Sequence, residues 1–384
     1  MSNRDEYRQM RAAVIADEAL QRDLMAATDE GDLAELCSAI AGRLGLSLSQ
    51  ADIAGAFDPA HLPPFELAAL PPRQWLPVQV FSDGRQLLVE WLHFGFAALA
   101  EPFYEQSVAR ARALPINRLL RLATPFEAVR AIAGESQPDG LLFHMSRCGS
   151  TLVARILAAD AGHVVVSEPP PLDIAFRLHF DGAIDADLVR GMAAALTRDR
   201  NGHARRRFIK LDSWHALALP RIAALLGDCR WAFLYREPVE VLVSHARRAG
   251  MQTIPGAVPL ASFGLAGADR VAPEDFARWV IDAIVRSALA AAQAGHGLLI
   301  DYRQLPGAVG ETILPYFGTS AGPAAMAAMT RAARHDSKNP DRTFIADGAG
   351  KQAEASALIR EQAAAIGVSY RRLEAIRARR ARSA

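Results

Sequence analysis

The chain has 384 residues, 51% of them hydrophobic and 22% charged, with a formal net charge of +1. That length suggests about two domains of ~100–200 residues each and supplies a large buried core. The near-neutral balance excludes a global pull toward nucleic acid or an anionic membrane, so any bound anion must be held by local basic residues. The polar start MSNRDEYRQM carries no signal-peptide stretch, and the absence of any run of ~18 apolar residues predicts no membrane span. Cys37, Cys148 and Cys229 are odd in number and widely spaced. They fit neither a disulfide framework nor a zinc knuckle, and a reducing, cytoplasmic setting is expected.

Residues 1–57 are expected to form a small helical unit. Leu20, Leu24 and Met25 recur at helical spacing, Asp29-Glu30-Gly31-Asp32 interrupts and offers an N-cap, and Leu33, Leu36, Ile40 and Leu44 form a second apolar stripe. Gly45 stands where a helix would stop, and Ser49 can cap a short third helix. Residues 58–137 begin with the proline-rich stretch Asp58–Arg73, read as a linker. A hairpin follows over Leu76–Glu90 around the turn Ser82-Asp83-Gly84-Arg85, then helical patterns from Glu101 to Ala133.

Residues 138–384 change texture. Short apolar runs at Leu141–Met145, Val164–Val166, Phe208–Leu211, Trp231–Tyr235 and Gly297–Ile300 alternate with helical segments. Strands separated by helices predict parallel pairing, hence a three-layer α/β/α domain with a parallel sheet. Gly250–Glu274, rich in Gly, Pro and Ala, reads as a loop over a site.

The strongest local signal is the strand Leu141–Met145 running through Ser146-Arg147-Cys148-Gly149-Ser150-Thr151-Leu152 into a helix. Such a turn aims several backbone N–H groups at one point, where the helix dipole also favours an anion. Alone it is also what an ordinary helix cap looks like. A Walker A loop would need Gly at 144 and Lys at 150, whereas His144 and Ser150 stand there. Downstream, the strand Trp231–Tyr235 ends in Arg236, Pro238 opens a helix, and Ser244 falls eight residues after Arg236. The planar fork of arginine suits a phosphate.

These two stretches, in this order, resemble the phosphosulfate loop and the 3′-phosphate motif of the sulfotransferases that use 3′-phosphoadenosine 5′-phosphosulfate (PAPS). The resemblance implies a P-loop-like three-layer α/β/α fold and binding of the 5′-phosphosulfate by Arg147, Cys148, Gly149, Ser150, Thr151 and Leu152. Cys148 departs from the family's usual Ser. It further implies that Arg236 and Ser244 hold the 3′-phosphate, with Lys338 in a weakly defined basic loop, Ser337–Arg342. Lys210, at the end of Phe208–Leu211, matches a lysine that faces the bridging oxygen. Where cytosolic members carry a catalytic His two residues later, this chain has Asp212. That departure points to Glu168, at the end of His163–Ser167, as general base, with His215 as the runner-up.

The expected activity is therefore sulfuryl transfer to an acceptor hydroxyl on a small molecule, sugar, lipid or peptide, with no metal and no nucleic acid. Glu168 would act as base, and Arg147 and Lys210 would stabilise the leaving phosphate. A P-loop small-molecule kinase is the alternative, as is a non-catalytic nucleotide-binding adaptor acting through its N-terminal helices. Asp17–Leu24 and Leu44–Asp52 are similar to the Nif-type leader-peptide domain, which implies either peptide or protein docking through residues 1–57 or a helical cap on the fold.

Overall fold

Asp17 follows directly on one helix and caps the next, and Asp29 caps a third. In the computed structural model, which describes residues 3–55, 65–135, 137–227, 229–334 and 347–383, the chain opens with α1 (Asn3–Ala16), α2 (Glu18–Met25), α3 (Glu30–Arg43) and α4 (Gln50–Gly55). The Asp17 carboxylate accepts from the backbone of Ala19 and Leu20, and Asp29 accepts from Asp32, which satisfies donors that a helix start leaves open. Gly45, at φ +71°, ends α3, and Leu33 and Ile40 are buried. Leu44, expected on the same stripe, is 38% exposed. It is the C-cap and has left helical geometry, so its side chain no longer follows the stripe.

Four strands follow: β1 (Phe65–Glu66), β2 (Trp75–Ser82), β3 (Leu87–His93) and β4 (Leu122–Pro125), in the order β1-β4-β3-β2. β2 and β3 form the expected hairpin, and the Asp83 carboxylate accepts from Arg85 N and Gln86 N in its turn. Two corrections arise here. β1 lies in the stretch expected to be a linker, and β4 in a stretch expected to be helical, where only α5 (Tyr104–Ala113) and α6 (Pro115–Leu119) precede it. Pairing made both strands: β4 lies antiparallel to β3 and parallel to β1, and Trp91 Nε1 donates to Thr124 Oγ1 at 3.0 Å. Strand formation depends on such partners more than on local propensity. Residues 58–64 of the expected linker lie outside the described residues.

The second sheet is wholly parallel. Its strands are β5 (Gly140–His144), β6 (His163–Ser167), β7 (Arg206–Lys210), β8 (Trp231–Tyr235) and β9 (Leu298–Asp301), in the order β6-β7-β5-β8-β9. Every residue of β5 and β8 is buried, which explains their unbroken apolar sequences. The crossovers carry α7 (Ser150–Ala158), α8 (Pro170–Phe180), α9 (Ala186–Leu196), α10 (Leu219–Leu225), α11 (Pro238–Arg247) and α12 (Pro273–Gln293). After β9 come α13 (Leu314–Tyr316), α14 (Pro323–Ala333), α15 (Gly348–Glu354) and α16 (Ala357–Ser383), the last packed along α11 and α12.

The chain moves from β5 outward to β6 and back to β7, then crosses β5 to reach β8. The strand order therefore switches at β5, and ligands of open α/β sheets bind beyond the carboxyl ends of the strands at that point. One buried apolar cluster runs from Tyr7 to Ile376 and includes both sheets and the first helices. No helix among the described residues is long and apolar enough to cross a membrane.

Candidate active site

Because the sheet is parallel, the segments leaving β5, β6, β7 and β8 emerge on one edge. The turn after β5 is tight: Ser146, Arg147 and Gly149 have φ of 74°, 52° and 83°. For Ser and Arg that left-handed conformation costs about 1–2 kcal/mol each, and strain of this kind collects at functional sites. Glu168, the first residue past β6, shares it at φ 54°. The turn feeds Ser150, Thr151 and Leu152 into the first turn of α7, all three buried.

The loop is held from several sides. Cys148 is fully buried and its Sγ donates to Leu234 O at 3.1 Å. Burial pushes its thiol up to about 12, so it is protonated and unreactive at neutral pH. Arg147 donates to Arg248 O at 2.6 Å, tying the loop to the end of α11. A Cβ on Gly149 would come within 2.8 Å of Leu305 Cδ1 and 3.0 Å of Tyr302 Cδ2. The glycine is therefore required by its protein neighbours as well as by its φ.

Beside the loop stands a cluster of three charged or titratable groups. Lys210 Nζ, wholly buried at the end of β7, is ion-paired with Glu168 Oε1, and His144 Nε2 lies 3.3 Å from the same oxygen. His144 Nδ1 accepts from Ser146 N at 3.1 Å, which places the proton of the neutral ring on Nε2, facing the carboxylate. Burial raises the Glu168 carboxyl, but Lys210 and His144 outweigh it and hold the group below the usual carboxylate range. Phe103, at the start of α5, roofs the lysine, its ring centroid 5.2 Å from Nζ. Nothing local in the sequence marks Phe103, and His144 reads there as one more residue of a buried strand.

Asp212 and His215 sit just beyond. His215 is 1% exposed; its Nδ1 accepts from Asp212 N at 3.2 Å and its Nε2 meets Asp173 Oδ1 at 2.9 Å. Trp214 Nε1 donates to the same Asp173 oxygen at 2.8 Å. Phe176 and Phe263 pack against the imidazole ring, with centroids 5.2 and 5.1 Å away. Burial, with the charges of Glu168 and Asp173, holds the Asp212 carboxyl well above its ordinary range, favouring the neutral acid. Ligand-type atoms of Asp173, Asp212 and His215 fall within 4.8 Å of one another. Both nitrogens of His215 are nevertheless spent on protein partners, so the trio reads as a hydrogen-bond network. Phe263 comes from the segment expected to form a loop over the site. That segment is folded into 3₁₀ turns at Met251–Thr253, Leu260–Phe263 and Ala268–Arg270, anchored by buried Leu260 and Phe263.

On the other flank, Arg236 follows β8 and is 3% exposed. Its Nε donates to Glu240 Oε2 and its Nη2 to Asp347 Oδ1, both at 2.5 Å, with Tyr302 stacked 3.8 Å beneath. Glu237 caps α11 through Glu240 N, and Pro238 takes the first helical turn. Ser244 lies farther along α11 and donates back to Glu240 O at 2.7 Å. β5 lies between β7, which ends in Lys210, and β8, which leads to Arg236, so the loop stands between the two flanks. Lys338, with all of Ser337–Arg342, lies outside the described residues.

No family model matches the chain, and no curated protein matches it. Among solved structures it is similar to a sulfotransferase, STF9, from Mycobacterium avium. The two share 12% identity at a TM-score of 0.39, over 65% of this chain and 83% of that one. So remote a likeness leaves the chemistry of the site to its own residues.

Proposed function

We propose that the chain transfers a sulfuryl group from PAPS to an acceptor hydroxyl. The carrying observation is the arrangement at the switch point. A turn rich in backbone donors after β5 has the buried Arg236 on one side and the Lys210–Glu168–His144 cluster on the other. A nucleotide with phosphates at both ends of its ribose needs two separate anion sites with a reacting centre beside one of them.

In this reading the donors of residues 147–152 receive the 5′-phosphosulfate, and Arg236 with Ser244 receives the 3′-phosphate. The acceptor oxygen attacks sulfur in line; an S–O bond forms as the bond from sulfur to the phosphate oxygen breaks. Lys210 and the loop amides stabilise the charge left on that oxygen, and Glu168 takes the acceptor's proton. Lys210 links the two events. While paired with Glu168 it keeps the carboxylate a weak base; once drawn toward the leaving oxygen it lets burial raise the basicity of Glu168. His215, enclosed by Asp173 and Asp212, positions the segment after β7.

The test is calorimetry with 3′-phosphoadenosine 5′-phosphate and with 5′-AMP, on the wild type and on Arg236→Ala. Binding of the bisphosphate should weaken by at least ~1.5–3 kcal/mol, the range for hydrogen bonds to a charged group. AMP, which has no 3′-phosphate, should change little. Equal losses for both ligands would remove Arg236 from this role, and absence of bisphosphate binding to the wild type would remove the reading.

A further inference from the structure

Arg236 shares its site with a second cation. Lys351, in α15, is 6% exposed and its Nζ lies 2.7 Å from Asp347 Oδ2, while Oδ1 of the same carboxylate receives Arg236 at 2.5 Å. One carboxylate is thus clamped by two buried cations brought together from segments 115 residues apart (351 − 236). Asp347 occupies the N-cap position of α15 yet makes no side-chain cap bond to that helix. Asp is favoured at N-caps because its carboxylate satisfies the first helical N–H groups, and here it is turned to the cations instead. Its side chain is 47% exposed, against 4% for Arg236. The anion can leave easily; the cation cannot.

Charge balance limits what the clamp can hold. Arg236 and Lys351 are balanced by Glu240 and Asp347. A phosphate monoester, carrying about −1.5 to −2 at neutral pH, would overfill that balance if added with Asp347 in place. With Asp347 swung out, it meets both cations and their donors. We propose that Asp347 is an internal stand-in for a phosphate monoester. In the protein without nucleotide its carboxylate occupies the Arg236–Lys351 clamp, and the 3′-phosphate of the nucleotide binds only by displacing it. This rests on the reading of Arg236 above. The displaced carboxylate turns to water and to the start of its own helix. Its return displaces the bisphosphate product, so Asp347 sets how fast that product leaves.

Calorimetry and stopped-flow dissociation on full-length wild type and Asp347→Asn, with 3′-phosphoadenosine 5′-phosphate and 5′-AMP as probes, decide the matter. The variant should bind the bisphosphate about tenfold more tightly or better and release it correspondingly more slowly, with AMP affinity unchanged. Asp347→Ser, which can still cap α15, should do the same if Asn disturbs the helix. Equal or weaker bisphosphate binding in both variants, with normal melting, overturns the role of Asp347 and leaves the nucleotide reading standing. Failure of the bisphosphate to bind wild type and variants alike overturns both.

Discussion

The Glu168 carboxylate is contested by burial, which favours its neutral form, and by Lys210 and His144, which favour its charged form and prevail. Glu168→Gln should leave bisphosphate binding intact and lower turnover by about 10²-fold or more; near-normal turnover would take Glu168 out of the chemistry. In Lys210→Met burial acts with one opponent fewer, so the acid limb of the residual pH–rate profile should move to higher pH. A second buried group makes a stability prediction. His93, on β3, is 1% exposed, neither ring nitrogen has a hydrogen-bond partner among the described residues, and burial, with Arg200 nearby, lowers its pKa from 6.5 to about 4. The unfolded chain therefore takes up a proton that the folded chain refuses. The associated stability is fully present above about pH 6.5 and drains away as pH falls toward 4, by roughly 3 kcal/mol in all. In thermal melts from pH 7 to 4 the wild type should lose stability relative to His93→Leu as the pH falls. Parallel melting curves would show that His93 is accessible to water.

At the scale of elements, the turn between β5 and α7 is tied to several other parts of the chain. Its conformation is set by residues far along the chain: Leu234 O holds Cys148, Arg248 O holds Arg147, and Tyr302 with Leu305 crowds Gly149. Gly149→Ala should lose about 1–2 kcal/mol from the left-handed backbone alone. Displacement of Tyr302, which stacks under Arg236, should add to that and weaken bisphosphate binding. Melting temperature and affinity both measure it, and an unchanged affinity would uncouple the loop from the Arg236 flank. The turn was readable from the sequence because a strand, a run of small residues and a helix are contiguous. β1 and β4 were not, because they are short and exist through pairing with each other and with β3.

Across the whole molecule, the first helices are held to the rest by specific contacts. Arg11 donates to Arg121 O at 3.0 Å, Gln74 donates to Glu18, Glu30 pairs with Arg118, and Met10, Val14, Leu24 and Ile40 belong to the common core. We therefore expect residues 1–57 to behave as a packed cap. Their deletion should expose partner surfaces on the four-stranded sheet and its helices, at ~1.5–3 kcal/mol per buried apolar side chain lost. The truncated protein should melt early or aggregate. A soluble truncation with an unchanged melting temperature would instead favour a docking module.

What the sequence determined by itself was the part encoded by contiguous residues. The apolar runs of the parallel sheet, with β8 falling on Trp231–Tyr235 as expected, the caps at Asp17 and Asp29, the hairpin turn and the strand-turn-helix passage through residues 146–152 all come from local periodicity and turn chemistry. Tertiary structure decided which distant side chains meet those residues. Phe103 lies over Lys210, His144 reaches Glu168, and Asp347 closes on Arg236 across 111 positions. No local pattern could carry these contacts, because they are made by strand order and helix packing. A charged group's behaviour depends on the partners and burial that this order imposes, so the residue types were legible at once and their electrostatics only after folding.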